Sequence, residues 1–145
     1  SNTLDVCTAF VGRDEVKDMT AMITRMRGQL TAPLVIDSTE LIVLEAALKL
    51  YGGKAILNSI NFEDGEEPAH RRMELAMKYG AAVVALTIDE EGMAKDVERK
   101  VQITHRLYDF CCKQYGLPPS DLLVDPLTFT ICTGNEDDRK LGLWT

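Results

Sequence analysis

The sequence has no long hydrophobic run, no surplus of positive charge and no glycine-rich phosphate loop. Its 145 residues contain 16 Lys plus Arg against 23 Asp plus Glu, a formal net charge of −7. A chain this acidic is not expected to bind nucleic acid or an anionic membrane surface. No apolar run approaches the roughly 20 residues of a membrane span, and no secretory signal is visible. Neither G-x-G-x-x-G nor G-x-x-x-x-G-K-[ST] occurs, so the usual nucleotide-binding loops are excluded.

The sequence also lacks a cysteine motif for metal binding or redox chemistry. The chain has four cysteines, Cys7, Cys111, Cys112 and Cys132, and none forms a Cys-x-x-Cys pair. The two histidines are not spaced with them as zinc ligands would be, so no metal site is predicted. We expect four reduced, mostly buried thiols in a cytoplasmic protein, because a chain of this size can build a core without disulfides.

Five short apolar runs alternate with amphipathic helical patterns. The runs cover residues 4–10, 33–37, 55–60, 81–87 and 122–127. Strands separated by helical crossovers of this length are parallel, so the predicted fold class is α/β, and the length predicts one domain over residues 1–145. The pattern leaves two architectures open: a doubly wound sheet, or part of a closed barrel.

Polar residues follow one predicted strand after another. Asp37 ends the second run, Asn58 lies in the third, Asp125 ends the fifth, and Asp5 lies within the first. In parallel α/β folds, ligands bind at the carboxyl ends of the strands. Each residue also has a purely structural interpretation: Asp37 as a helix cap, Asn58 as a loop amide, and Asp125 as a turn residue before proline.

Four segments in this order and spacing carry a family resemblance: PLVIDST at 33–39, LNSIN at 57–61, AAVVALTIDEEG at 81–92 and DPLTF at 125–129. Together they resemble the pterin-binding domain of cobalamin-dependent methionine synthase and related methyltetrahydrofolate:corrinoid methyltransferases. The resemblance implies a TIM barrel. A complete barrel has eight strands in about 250 residues, so we expect a partial (β/α)8 barrel of about five strands, truncated from a larger protein.

The resemblance also implies a function in methionine biosynthesis. The domain would bind 5-methyltetrahydrofolate and transfer its methyl group to the Co(I) corrinoid of a cobalamin-binding domain or corrinoid protein. Asp37, Asn58 and Asp125 match the family's pterin-binding positions, and Asp5 is a weaker candidate. The family residue that contacts N5 lies on a strand absent here, so no catalytic residue is assigned and the isolated chain is expected to be inactive.

Three alternative functions stay open at this point: a stand-alone methyltransferase serving a corrinoid iron–sulfur protein, a dihydropteroate-synthase-like enzyme, and a non-catalytic pterin-binding module. A partial barrel would also leave strand edges and apolar side chains exposed, which predicts a homo-oligomer. The apolar residues expected on its incomplete interior layers are Val6, Val35, Leu57, Val84 and Val124.

Overall fold

The computed structural model describes residues 2–130, 132, 134, 136 and 138–145. Its strands and helices alternate along the chain as the apolar runs predict. The main strands are β1 (Leu4–Cys7), β2 (Leu34–Asp37), β3 (Ile56–Ile60), β4 (Ala82–Leu86) and, after the two short hairpin strands β5 (Ile88–Asp89) and β6 (Gly92–Met93), β7 (Leu122–Asp125). The helices are α1 (Glu15–Met26), α2 (Leu41–Leu50), α3 (Glu66–Tyr79) and α4 (Val97–Tyr108).

The five main strands form one sheet in the order β1-β2-β3-β4-β7, and every neighbouring pair is parallel. Because spatial order follows chain order, successive right-handed crossovers place the helices on the same side of the sheet. A doubly wound sheet would instead reverse its strand order at one point. The topology is therefore that of a barrel segment, which settles the choice that the sequence pattern left open.

The core lies between the sheet and this single layer of helices. One row of register partners across the first four strands is fully buried: Val6, Ile36, Leu57 and Val83. Side chains alternate along a strand, so the residues between these point to the opposite side, called here the inner face.

The expected set of exposed interior residues is therefore partly wrong. Val6 and Leu57 are buried beneath the helices, and Val124 shares their side of the sheet. Only Val35 and Val84 of the five lie on the inner face, where both are half-buried.

Local sequence explains where the helices begin and end. The carboxylate of Asp14 caps α1 by accepting the Lys17 amide at 3.0 Å, and Asp96 caps α4 by accepting the Arg99 amide at 2.8 Å. Helix α3 stops at Gly80, whose φ of 64° is left-handed.

Two features differ from the pattern-based prediction. The apolar stripe of α4 predicts a helix through residue 115, but regular α-helix ends at Tyr108 and a π-helical segment follows over Asp109–Gln114. This wider turn keeps Phe110 and Cys111 buried. A short antiparallel hairpin, β5 (Ile88–Asp89) with β6 (Gly92–Met93), also follows β4, and strands of two residues are too short to show a period.

Candidate functional site

The inner face brings together all four candidate residues from the sequence. Asp5 and Cys7 alternate with buried Val6, and Asp37 alternates with buried Ile36. Asn58 follows buried Leu57, and Asp125 pairs in register with Leu86 of β4. The four side chains therefore share one side of the sheet, away from the helices.

Asp37 and Asn58 form the centre of this group. They are register partners on adjacent strands, which places their backbones about 4.8 Å apart. Both residues are half-buried. The peptide bond from Asn58 to Ser59 is cis, and the register of β3 against β4 shifts between Asn58 and Ile60. A carboxylate and an amide thus lie side by side, offering acceptors and a donor to one planar ligand edge.

The carboxyl group of Asp37 lies in an unfavourable environment for its charge. Burial raises its pKa above the ordinary value, and the nearby charges of Asp5 and Glu15 raise it further. A hydrogen bond from the Cys7 thiol acts in the opposite direction. Cys7 is the register partner of Asp37 on β1 and is exposed. Ligand N–H groups that donate to Asp37 would stabilise its charged form and offset the effects of burial and of the neighbouring acids.

Cys7 also corrects part of the sequence-based expectation. All four cysteines are free, but Cys7 and Cys132 are exposed, and only Cys111 is fully buried. Burial raises the pKa of the Cys111 thiol to about 12, which makes it unreactive. The approach of Cys7 to Asp37 follows from strand parity, because every second residue of β1 faces inward. That signal was present in the sequence, although the register between β1 and β2 was not.

Asp125 lies further along the sheet than the Asp37–Asn58 pair. Strand β4 separates Asn58 from β7, which is two strand spacings, about 10 Å, across the sheet. Asn58 pairs with Val84 and Asp125 with Leu86, so Asp125 also lies two residues further toward the carboxyl ends of the strands. Asp125 is exposed, and its Oδ1 accepts the Leu127 amide at 2.9 Å. Its backbone oxygen accepts the amide of buried Thr87 at 3.2 Å. The turn interpretation is thus correct for one carboxylate oxygen, and Oδ2 remains as a further acceptor.

The helix-cap interpretation of Asp37 is wrong. The N-cap of α2 is Glu40, and it makes no side-chain capping bond. Ser38 supports the turn instead: its Oγ accepts the Glu40 amide at 3.1 Å and donates to Glu15 Oε1 at 2.6 Å. Asp37 is therefore not required for the helix start.

Another acid near a strand end has a structural role. Asp89 is only 6% exposed, and Arg99 Nη2 lies 2.5 Å from its Oδ2. Glu91 also pairs with Arg99, at 3.0 Å. This ion pair ties the β5–β6 hairpin to α4, so Asp89 is not available to a ligand on the inner face.

The presence or absence of a cavity, a metal-binding cluster and a membrane-spanning helix bears on what the inner face can bind. A cavity of about 570 Å³ lies between the loop after β1 and helix α1, and none of the four candidates lines it. Within the described residues, no three His, Cys, Asp or Glu side chains converge as metal ligands do. Over the same part of the chain, no helix has the length and apolar character needed to cross a membrane. The inner face offers hydrogen-bonding groups from three acids and an amide.

Five parallel strands in sequential order, with helices on one side and polar residues along the inner face, define an α/β protein of the partial TIM-barrel type. Residues 2–145 match the family described as pterin binding enzyme, and the chain belongs to that family. A solved structure of 7,8-dihydropteroate synthase from Vibrio fischeri ES114 is similar in fold, with a TM-score of 0.63 at 16% identity. The similarity covers 90% of this chain and 51% of that one.

Two curated relatives are closer in sequence. The chain is 47% identical to the methionine synthase of Mycobacterium leprae and 46% identical to that of Mycobacterium tuberculosis. Both alignments cover the whole of this chain and 12% of the relative. The chain therefore spans about an eighth of the length of these methionine synthases.

Proposed function

We propose that this chain is a folate-binding methyltransferase domain that binds 5-methyltetrahydrofolate through its pterin ring. The observation that carries the proposal is the adjacency of Asp37 and Asn58 on the inner face, with Asp125 on the same side. The high identity to two methionine synthases supports the same choice of substrate.

The chemistry of a pterin suits these residues. Its ring edge presents a 2-amino group, a ring N–H and a 4-oxo group in one plane. The carboxylate of Asp37 or Asp125 can accept two parallel hydrogen bonds from the amino group and the neighbouring N–H. Asn58 can donate to an oxygen and accept from a nitrogen of the same ring. Asp5 contributes chiefly charge, because it lies deeper in β1 and raises the pKa of Asp37.

The proposed reaction is transfer of the N5-methyl group to the Co(I) corrinoid of a cobalamin-binding partner domain, in methionine synthesis. The corrinoid supplies the nucleophile when that domain docks. The residues of this chain bind and orient the folate, which is the positioning part of catalysis. No residue of this chain is assigned the protonation of N5, so we expect no methyl transfer from the isolated chain. The proposed compartment is the cytoplasm.

A dihydropteroate-synthase-like activity is less well supported. Such an enzyme binds a pterin pyrophosphate, which requires cationic side chains near the strand ends. Arg13 is the basic residue closest to the end of β1, and it forms two hydrogen bonds with Asp18, at 2.5 and 2.7 Å. The similarity to dihydropteroate synthase concerns the fold alone.

Calorimetric titration with 5-methyltetrahydrofolate tests the proposal. We expect weak but measurable binding, and a loss of about 10- to 150-fold in Asp37→Ala and in Asp125→Ala, since a hydrogen bond to a charged group contributes about 1.5–3 kcal/mol. Asp121→Ala is the matched control, because Asp121 lies just before β7 and pairs with Lys54 at 2.6 Å. Unchanged affinity in both site variants would refute the assignment.

A further inference from the structure

Helix α4 contains a lysine that is almost completely buried. Lys100 is 5% exposed, although lysine is rarely buried in folded proteins. Its Nζ donates to the backbone oxygen of Leu127 at 2.8 Å and to Thr145 Oγ1 at 2.8 Å. Both acceptors are uncharged. The Lys100 ammonium group thus holds a main-chain carbonyl just beyond β7.

The residue held by Lys100 has an unusual backbone conformation. Leu127 has a φ of 51°, in the left-handed region that residues other than glycine rarely adopt. Its carbonyl accepts from Lys100, and its amide donates to Asp125 Oδ1 at 2.9 Å. The Thr145 hydroxyl also donates to this carbonyl, at 3.3 Å. Both backbone groups of Leu127 are therefore engaged, the carbonyl chiefly by the lysine and the amide by the candidate ligand-binding acid.

We infer that Lys100 is a positioning residue for Asp125, acting through the backbone of Leu127. Lys100 holds the Leu127 carbonyl, the left-handed turn directs the Leu127 amide at Asp125 Oδ1, and this bond fixes the carboxylate. Oδ2 is then presented to a ligand in one orientation. The consequence for binding rests on the proposed function, in which Asp125 contacts the pterin, but the positioning itself does not.

A measurement that needs no ligand tests the positioning. The amide proton of Leu127 should shift strongly in NMR spectra as acid protonates Asp125, because its acceptor loses its charge. We expect this response in the wild type and its loss in Lys100→Met. Lys100→Arg keeps the cationic donor and should retain the response.

Lys54→Met is the matched control. Lys54 Nζ lies 2.6 Å from Asp121, before the opposite end of β7, so this variant also removes a lysine that holds an end of the strand. It should leave the Leu127 response unchanged. If Lys100→Met does not fold by circular dichroism, Lys100→Gln replaces it, since glutamine is polar but too short to reach Leu127. Retention of the wild-type response in a folded Lys100 variant without a cation, or its absence in the wild type, would overturn the inference.

Affinity for 5-methyltetrahydrofolate provides the second measurement. Lys100→Met should weaken binding about tenfold, in line with one weakened bond to a charged group, and Lys54→Met should not. In an Asp125→Ala background, Lys100→Met should weaken binding by less than about a further twofold, because the carboxylate that Lys100 positions is absent. An equal loss in both backgrounds would show a general structural role and reject the inference. If Asp37→Ala and Asp125→Ala both bind normally, the proposed function fails; if only Asp125→Ala does, the contact of Asp125 with the pterin is wrong. In either case the NMR response still decides whether Lys100 positions Asp125.

Discussion

Asp37 and Asn58 are register partners on adjacent parallel strands, and each follows a residue that is fully buried against the helices. The sheet itself, rather than a loop, therefore holds this acid and this amide on the inner face. A site placed on strands holds its geometry more firmly than one placed on loops. The proposed recognition of a planar ring depends on that rigidity.

Asp37→Asn should stabilise the unliganded protein while weakening folate binding. The folded-state pKa of Asp37 is raised by burial and by Asp5, so ionisation of Asp37 opposes folding. The wild type therefore loses stability, relative to the variant, as pH rises through the raised pKa, and this difference vanishes below the unfolded-state pKa. Urea unfolding between pH 3 and pH 8 would measure it.

Asp18→Asn is the control of opposite sign. Arg13 lowers the pKa of Asp18 through a hydrogen bond, so the Asp18 carboxylate adds stability above its unfolded-state pKa, and this is lost as pH falls through the folded value. Asp18→Asn should therefore be slightly destabilising at pH 7. If Asp37→Asn instead destabilises the protein at neutral pH, the inference that the Asp37 charge opposes folding is wrong.

Asn58→Asp should weaken binding of 5-methyltetrahydrofolate and raise the pKa of Asp37 further. The substitution is nearly isosteric, but it removes the amide donor and places a second negative charge beside Asp37. We expect a loss of affinity of about tenfold or more by calorimetry. An NMR titration of the Asp37 carboxyl carbon would follow the pKa.

Asn61→Asp is the matched control for that substitution. Asn61 lies directly after β3, and its Oδ1 accepts the Glu63 amide at 2.9 Å, a bond that aspartate preserves. It should leave both affinity and the Asp37 titration unchanged. Equal effects of the two substitutions would indicate a general charge effect and no specific contact by Asn58.

Arg99→Met should destabilise the fold clearly, because it leaves the nearly buried carboxylate of Asp89 without its ion-pair partner. Arg71→Met, which removes an exposed pair with Glu67 on α3, should change stability by less than about 0.5 kcal/mol. Chemical denaturation of the three proteins measures both values. A negligible effect of Arg99→Met would mean that the β5–β6 hairpin is held by other contacts.

The sequence was sufficient for the fold class and, through the family resemblance, for the partial barrel, and it placed the candidate residues at the strand ends. Polar residues such as Asp37 and Asn58 stand out within short apolar runs, and the apolar residue before each one must point to the opposite side of the sheet. Strand order and register were not accessible, because they depend on contacts between distant segments. Asp5 and Asp37 were thus both named as candidates from the sequence, but the effect of the Asp5 charge on the pKa of Asp37 could not be predicted.

Other contacts were beyond sequence reasoning for a related reason. Lys100 lies on the clearest helix of the chain, yet its partners Leu127 and Thr145 are 27 and 45 residues away. The assignment of Val6 and Leu57 to exposed layers failed because an apolar run does not reveal which face meets the helices. The sequence pattern shows which residues alternate along a strand. Only the packing of the helices against the sheet determines which of the two sets is buried.

Self-association through the inner face or the strand edges is the final prediction. Within the described residues, β1 pairs only with β2 and β7 only with β4, so each has an unpaired backbone edge. On the inner face, Leu123 is 43% exposed. Burying such a side chain contributes about 1.5–3 kcal/mol, and a second copy offers the same edges and apolar surface.

We expect a homodimer or larger oligomer by sedimentation velocity at micromolar concentration. Leu123→Lys should shift it toward monomer by placing a charge on the inner face. Val101→Lys, on an exposed position of α4, is the control that should not. The net charge of −7 opposes association, so added salt should strengthen it. A cooperatively folding wild-type monomer would contradict the prediction, and dissociation by Val101→Lys alone would place the interface on α4 instead.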